Sequence, residues 1–313
     1  MLNRRHIRIK VMQSIYAMLQ SSNDNIVKEE KFLNYSILRI YDLYVLMISL
    51  LLEVKNLAEV HQEISKKKHL ATKADKNPNR KFIDHPFLVK LKNNISLKDY
   101  IATQKLKNWQ DDSEYIRLIW DAIKESDIYI NYINDTETKS PKEELAFIVE
   151  LYKNIIAPSD KLFDYFESYN ITWVDDIPFV NTWIIKNLKK INESTCFDKK
   201  MLYKDVDDEK FGIELFRKTA LNHHNFTEDI DAKTPNWDTD RIAEIDLILI
   251  KMALVEFVHF PSIPTRVSIN EYLEIAKDYS TVKSSFFING VLDKLLKDYM
   301  SSKKIKKIGR GLL

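Results

Sequence analysis

Few side chains in this sequence have the types and spacing that catalysis or metal binding requires. His223 and His224 precede Asp229 and Asp231, but adjacent residues on a helix point about 100° apart, so the two histidines do not share a face. The only cysteine, Cys196, has no histidine near it. Four glycines in 313 residues leave no glycine-rich loop for a nucleotide or a methyl donor. The sequence therefore predicts a non-enzyme with no metal site and no cofactor.

Basic residues are concentrated at both ends of the chain, although the formal net charge is only +2. The first ten residues contain Arg4, Arg5, Arg8 and Lys10 and no acid. The segment after Asp298 also lacks acids and contains Lys303, Lys304, Lys306, Lys307 and Arg310. Such runs are commonly solvated surfaces, but two basic ends next to helices with aromatic side chains favour a nucleic-acid partner.

The N-terminal basic residues belong to a predicted helix over residues 3–20. Its apolar side consists of Val11, Met12, Ile15, Met18 and Leu19. Arg5, Tyr16 and Gln20 fall on an adjoining flank, where a cation and an aromatic ring can meet the same ligand. A tyrosine at the edge of an apolar stripe is also commonly a core residue, so both interpretations of Tyr16 stay open.

A second basic and aromatic face is predicted on the last helix, which Ser280 or Thr281 is expected to cap. One side carries Ile288, Val291, Leu292, Leu295 and Tyr299, and the opposite side carries Lys283, Phe286, Lys294, Lys297 and Lys304. Phe286 is therefore expected among lysines, and Phe287 at the boundary. Gly290 is predicted to permit a close helix crossing, and Asn289 to bond either a neighbouring backbone or RNA.

Between the first and the last helix in the sequence, residues 246–258 are apolar on almost every side, which predicts the central helix of a bundle. Two prolines then end this helix. Ser268, three residues before Glu271, is typical of a capping box and predicts that the next helix begins just after it. Inside the apolar helix, Glu256 needs a donor such as Arg266 or the amides that open the helix near Ile269, because an unpaired buried carboxylate is costly.

The residues ALVEF, IPTRVSINEYLEIAK and FFINGVLDK resemble the C-terminal half of NusB transcription antitermination factors. Their order and spacing fit without a gap from Ile245 to Lys294, and a weaker match covers Arg4 to Gln20. The resemblance implies an all-α, NusB-like helical bundle with an additional inserted helical subdomain. Residues 1–37 and 206–300 are expected to form the core, 38–205 the insertion, and 301–313 a disordered basic tail.

By this resemblance the chain is an RNA-binding antitermination or elongation factor that holds boxA-like RNA together with the NusE ribosomal protein in the transcription elongation complex. The residues expected to contact RNA are Arg4, Arg5, Arg8, Tyr16, Gln20, Lys283, Phe286, Phe287, Asn289 and Lys294. Cations are expected at phosphates, and aromatic rings on bases. Asp246 and Glu256 are expected to contact the protein partner. Shorter family members often carry a basic residue where this chain has Phe286, so stacking is expected to replace charge there.

The insertion also shows signs of tandem helix–loop–helix repeats. The same spacing separates Trp109 from Trp173 and Trp173 from Trp237. Phe147, Glu150 and Leu151 precede Trp173 and Asp176 as Phe211, Glu214 and Leu215 precede Trp237 and Asp240. Repeats and chance similarity are both open interpretations. Helices are predicted here over residues 113–134 and 141–156, among others.

An alternative hypothesis is a helical protein-interaction scaffold without RNA affinity, in which the basic ends are solvated. RNA binding that weakens with salt distinguishes the two hypotheses. The longest apolar run, Leu43 to Leu52, is too short to span a bilayer, and the N-terminus has no apolar signal segment. With a single cysteine, these features predict a soluble cytoplasmic protein with no membrane contact.

Overall fold

The structure, a computed structural model, describes residues 1–21, 25–233 and 242–312. These residues form sixteen α-helices and no β-strand, which confirms the all-α class. No helix among them is long and apolar enough to cross a membrane. The helices are α1 (Arg4–Gln20), α2 (Ile26–Lys66), α3 (Lys73–Lys76), α4 (Pro86–Asn93), α5 (Ile95–Gln104), α6 (Asn108–Asp111), α7 (Ser113–Glu125), α8 (Asp127–Asn134), α9 (Pro141–Leu151), α10 (Asp160–Tyr169), α11 (Asp176–Asn187), α12 (Val206–Leu221), α13 (His223–Asp231), α14 (Glu244–His259), α15 (Thr265–Tyr279) and α16 (Ser284–Ser301).

The chain divides into two compact units. The terminal unit comprises Met1–Ile37 and Tyr203–Leu313, and the inserted unit comprises Leu38–Leu202. In the terminal unit, α14 packs against α1, α12, α13, α15 and α16. All side chains of α14 from residue 248 to residue 257 are buried. The prediction of a central helix is thus confirmed, because a helix that is apolar all round is stable only when neighbours cover every face.

A glycine sets the approach of α12 to α1. A Cβ atom at Gly212 would lie 2.9 Å from Cγ2 of Ile7, so a larger residue there would force the Ile7 side chain or the helices themselves to shift. Gly290 has no such role, since a Cβ atom there would meet nothing within 4 Å. The prediction that Gly290 permits a close helix crossing is therefore wrong. It lies on the exposed side of α16, where a missing side chain brings no neighbour closer.

The predicted capping box at Ser268 is also wrong. Helix α15 begins earlier, at Thr265, with Pro264 as its N-cap residue and no side-chain cap. Proline suits the entry to a helix because its φ is already fixed near the helical value. The Ser268 hydroxyl instead donates a hydrogen bond to Oε2 of Glu256 at 2.6 Å, so it is committed to another helix.

The start of α16 differs from the prediction in the same way. The helix begins at Ser284, and its N-cap residue, Lys283, makes no side-chain cap. Neither Ser280 nor Thr281 caps it. The hydroxyl of Ser284 accepts a hydrogen bond from the Thr281 amide at 3.2 Å, which fixes the turn that leads into the helix.

The core of the inserted unit contains tryptophans bonded to the backbone of α2. The indole of Trp173 donates to the carbonyl of Arg39 at 3.0 Å, and that of Trp109 donates to the carbonyl of Leu46 at 3.0 Å. Both rings are buried, and each buried N–H has its acceptor. Trp237 and Asp240, which belong to the predicted repeat, lie outside the described residues. The repeat stays a prediction.

Two helices predicted in this unit are interrupted. Residues 113–134 form α7 and α8 rather than one helix, because the hydroxyl of Ser126 accepts a hydrogen bond from the Tyr129 amide at 3.2 Å and caps a new helix. Serine competes for backbone donors in this way and so favours caps over helix interiors. Residues 141–156 begin as α9 and end in a π-helical turn over Tyr152–Ile156.

Residues of the basic tail contact the terminal unit, and the expected disorder of residues 301–313 stays a prediction. The Lys307 amine donates to the carbonyls of Glu256 and Phe260, at 3.0 and 2.9 Å, and the Ile308 amide donates to the carbonyl of Pro261 at 3.1 Å. The last carbonyls of a helix lack partners within it and carry partial negative charge, so an amine stabilises them. Burial lowers the pKa of Lys307 to about 8.

Two glycine substitutions test how tightly this tail is held. In Gly311→Ala the new Cβ would lie 1.9 Å from the carbonyl oxygen of Pro261, so we expect the tail to detach, trypsin to cleave it faster and the unfolding temperature to fall. Gly290→Ala is the control. At this exposed helical site alanine should raise the free energy of unfolding by about 0.5–1 kcal/mol. Wild-type protection of the tail in Gly311→Ala would contradict the contact.

Candidate nucleic-acid interface

An arginine–glutamate ion pair lies in the core of the terminal unit. Nε of Arg8 lies 2.6 Å from Oε1 of Glu256, and Nη2 lies 2.9 Å from Oε2. The hydroxyls of Ser268 and Tyr272 donate to the same carboxylate at 2.6 and 2.7 Å. These four residues form the Arg8–Glu256 cluster, which joins α1, α14 and α15. The prediction of Arg266 as the donor is wrong.

Both members of the pair are charged despite their burial. Burial alone would raise the pKa of the Glu256 carboxyl, but the Arg8 charge and the hydrogen bonds from Arg8, Ser268 and Tyr272 hold it below its ordinary value. Burial alone would lower the pKa of Arg8, but the Glu256 charge and hydrogen bonds raise it above its ordinary value. A bidentate arginine–carboxylate pair with further donors is the arrangement that makes buried charge tolerable.

Three of the residues expected at the interface are buried, and two of them belong to this cluster. Arg8 is 2% exposed and Glu256 is fully buried, so neither side chain is accessible to RNA or to a protein partner. Asp246 is also buried, in the first turn of α14, where a negative charge is favourable near the positive end of the helix dipole.

The other N-terminal arginines are partly exposed and paired with carboxylates. Arg5 makes two hydrogen bonds to Glu271, at 2.8 and 3.0 Å, and these raise its pKa. Nε of Arg4 lies 2.6 Å from Oδ1 of Asp208. Their side chains are 43% and 36% exposed. A phosphate would therefore compete with these two acids, which the sequence pattern did not reveal as partners.

Two further residues expected to contact RNA, Tyr16 and Gln20, lie near the C-terminal end of α1. Tyr16 is 39% exposed, which is enough to offer part of its ring to a ligand. Gln20 is exposed, and its side-chain amide donates to the carboxylate of Glu244. The structure thus leaves the aromatic ring accessible and gives Gln20 an internal acceptor.

Helix α16 presents the most accessible part of the expected interface. Phe286 is 80% exposed, and Lys283 and Lys294 are exposed and form no ion pair with any described residue. Phe287 and Asn289 are half-buried, and the Asn289 amide donates to Asp293 at 3.4 Å. The opposite side is buried and carries Ile288, Val291, Leu292, Leu295 and Tyr299, as predicted.

Phe286 and Asn289 also line a groove of about 400 Å³ between α15 and α16. Leu273, Glu274 and Lys277 of α15 form its other wall. Helices α1 and α16 both pack against α14 and α15. The two sets of expected RNA-contacting residues therefore lie on helices that share the same neighbours.

No group of three or more metal-binding side chains occurs in the described parts of the chain. Nε2 of His223 lies 3.1 Å from the Lys251 amine. Burial and this amine lower the pKa of His223 to about 4, and burial lowers that of Lys251 to about 8. The Asp229 carboxylate accepts a hydrogen bond from the Tyr299 hydroxyl, and its Oδ2 lies 3.4 Å from Nζ of Lys304. These side chains thus make structural contacts.

The fold and the exposed face of α16 describe an all-helical bundle with an accessible basic and aromatic surface. The NusB family model matches residues 183–297. Transcription antitermination protein NusB of Salinibacter ruber is 40% identical over 112 residues, which are 36% of this chain and 70% of that protein. The chain belongs to the NusB family.

Two further relatives agree with this assignment. The NusB protein of Clostridium botulinum is 36% identical over 116 residues, 36% of this chain and 81% of its own length. That of Chloroherpeton thalassium is 37% identical over 109 residues, 35% of this chain and 52% of its own length. No solved structure matches the chain. The family match includes α12 to α15 and most of α16, and α1 lies outside it.

Replacing one member of the buried pair should change stability in a pH-dependent way. Glu256→Gln leaves Arg8 charged and poorly paired in the core, so we expect it to lower the free energy of unfolding by about 3–5 kcal/mol at neutral pH. The native pKa of Glu256 is depressed from 4.5, so its contribution is complete above that pH and is lost as the pH falls further. Urea unfolding should show the difference from wild type shrinking below about pH 4.5.

The matched control is Glu274→Gln, which removes a carboxylate from an exposed ion pair with Lys277. Screening by solvent makes such pairs weak, so this variant should unfold like wild type. A difference for Glu256→Gln that stays constant through the acid range would mean that the carboxylate is not held ionised by Arg8.

Proposed function

We propose that this chain is a non-enzymatic transcription antitermination factor that binds single-stranded, boxA-like RNA together with the NusE ribosomal protein in the elongation complex. Membership of the NusB family supports this function. The observation that carries the RNA-binding part is the outer face of α16, where Phe286 is 80% exposed, Lys294 lies on the same helix and Lys283 is the N-cap residue.

The side chains of this face suit a single strand rather than a duplex. An exposed ring offers a stacking surface to an unpaired base, and unpaired lysines offer charge to the phosphates beside it. An 80% exposed phenylalanine contributes little to the core, so a ligand is a better reason for its presence than packing. Phe286 replaces charge with stacking, as expected where other members have a basic residue.

The proposed RNA-contacting set is smaller than the expected one. Lys283 and Lys294 contact phosphates, and Phe286 and Tyr16 stack on bases, with Phe287 and Asn289 at the boundary of the core. Arg4 and Arg5 contribute by exchanging their carboxylate partners for phosphate. Arg8 is omitted because it is buried.

The contact with NusE is proposed from the family alone. Asp246 and Glu256 were the expected partner residues, but both are buried, and we leave them out of this contact. We propose that the terminal unit carries the RNA-binding and NusE-binding functions, because α12 to α15 and most of α16 lie there and within the family match. The inserted unit is then an accessory part of the protein.

The RNA-binding proposal is tested by titrating the full chain against labelled boxA-like single-stranded RNA at two salt concentrations. Loss of a stacking ring in Phe286→Ala should weaken binding by about 1–3 kcal/mol without lowering the unfolding temperature. Lys283→Ala and Lys294→Ala should each reduce the salt slope by about one, since each removes one phosphate contact. Fluorescence anisotropy and thermal unfolding supply both readouts.

Met300→Ala is the matched control for Phe286→Ala, because it removes a 58% exposed apolar side chain from the other end of α16. It should leave RNA affinity unchanged. RNA binding by wild type that is indifferent to salt, or equal losses in both variants, would contradict the proposed face. Absence of RNA binding with and without NusE would favour the scaffold hypothesis.

A further inference from the structure

A lysine-rimmed groove in the inserted unit is not explained by the proposed function. It has a volume of about 450 Å³ and lies between α2 and the segment from α5 to α6. Its apolar residues include Leu52, Ile101 and Leu106. Ile101 is half-buried and the two leucines are buried, so the floor of the groove is aliphatic.

The rim of this groove is strongly basic. Lys92, Lys98, Lys105 and Lys107 line it, against one acid, Glu53. Lys92 lies 3.4 Å from a carboxylate oxygen of Glu59. Lys98, Lys105 and Lys107 are exposed and form no ion pair with any residue that the structure describes. Three uncompensated cations around an apolar floor attract a ligand with negative charge at its edges.

Lys105 stands in a backbone conformation that is unfavourable for it. It is the C-cap residue of α5, with φ 54° and ψ 43° in the left-handed region. Glycine or asparagine usually occupies such a position, because other residues pay about 1 kcal/mol or more there. From this position Lys105 places its side chain on the rim of the groove.

The floor distinguishes between two kinds of acidic ligand. Single-stranded RNA is bound by stacking its bases on aromatic rings, and the groove has none among its lining residues. An amphipathic helix instead inserts aliphatic side chains into an apolar groove and places its polar residues at the rim. The aliphatic floor and the cationic rim together suit a helix that has leucine-like side chains on one face and acidic side chains beside them.

We propose that this groove is a docking site for an acidic amphipathic helix of a protein partner, separate from the RNA-binding face. The anchors of the partner contact Leu52, Ile101 and Leu106, and its carboxylates pair with Lys98, Lys105 and Lys107. Because every residue of the groove lies in the inserted unit, the proposal is independent of whether the terminal unit binds RNA.

The test uses the full chain and a labelled synthetic helical peptide with leucines at helical spacing and glutamates elsewhere. A second peptide replaces the glutamates with lysines, and a single-stranded RNA is the third probe. The triple variant Lys98→Glu, Lys105→Glu, Lys107→Glu should bind the acidic peptide about tenfold or more weakly than wild type, since each lost pair becomes a repulsion. Ile101→Ser should also weaken binding without any change in charge.

A second triple variant keeps the comparison at equal net charge. Lys153→Glu, Lys161→Glu and Lys186→Glu alter three exposed lysines of the inserted unit that do not line the groove, and peptide affinity should stay at the wild-type value. Circular dichroism checks that all variants fold. Equal losses in the two triple variants, tighter binding of the basic peptide, no peptide binding, or a groove variant that loses RNA binding instead would each overturn the proposal.

Discussion

The terminal unit depends on one buried ion pair, that of Arg8 with Glu256. Two charges in an apolar bundle are costly unless each is held by good geometry and further hydrogen bonds, and here Ser268 and Tyr272 supply those bonds. The partners are 248 positions apart in sequence. Because Arg8 must face the core to reach Glu256, the orientation of α1 is fixed, and the other N-terminal arginines are left at the surface.

The same glutamate also connects α14 to the chain beyond α16. Its carboxylate binds α1 and α15, while its backbone carbonyl accepts a hydrogen bond from the Lys307 amine. One residue of the central helix is therefore in contact with three other parts of the terminal unit. The position of the tail depends on the hydrogen bonds that Lys307 donates to the carbonyls at the end of α14.

The sequence predicted the buried and exposed faces that follow from helical periodicity, and it missed the contacts between residues that are far apart in the chain. The period of the apolar residues placed α14 at the centre and separated the two sides of α16 correctly, because local spacing determines which face a residue occupies. Lys304 was wrongly placed on the polar side, since α16 ends at Ser301 and the Lys304 amine lies over the Tyr299 ring. Local spacing in the sequence gave no sign of the Arg8–Glu256 pair, because the two residues are far apart in the chain. The spacing of Ser268 and Glu271 matched a capping box, yet Ser268 bonds to Glu256 and Glu271 to Arg5. Identical local spacing can thus serve tertiary contacts. Exposure of Phe286 followed from its lysine neighbours.

The two units have separate cores, and this permits separate functions. All four residues of the Arg8–Glu256 cluster lie in the terminal unit, whereas Trp109 and Trp173 bond to the backbone of α2 within the inserted unit. We propose that the exposed face of α16 serves the function typical of the family, and that the lysine groove of the inserted unit binds a different partner.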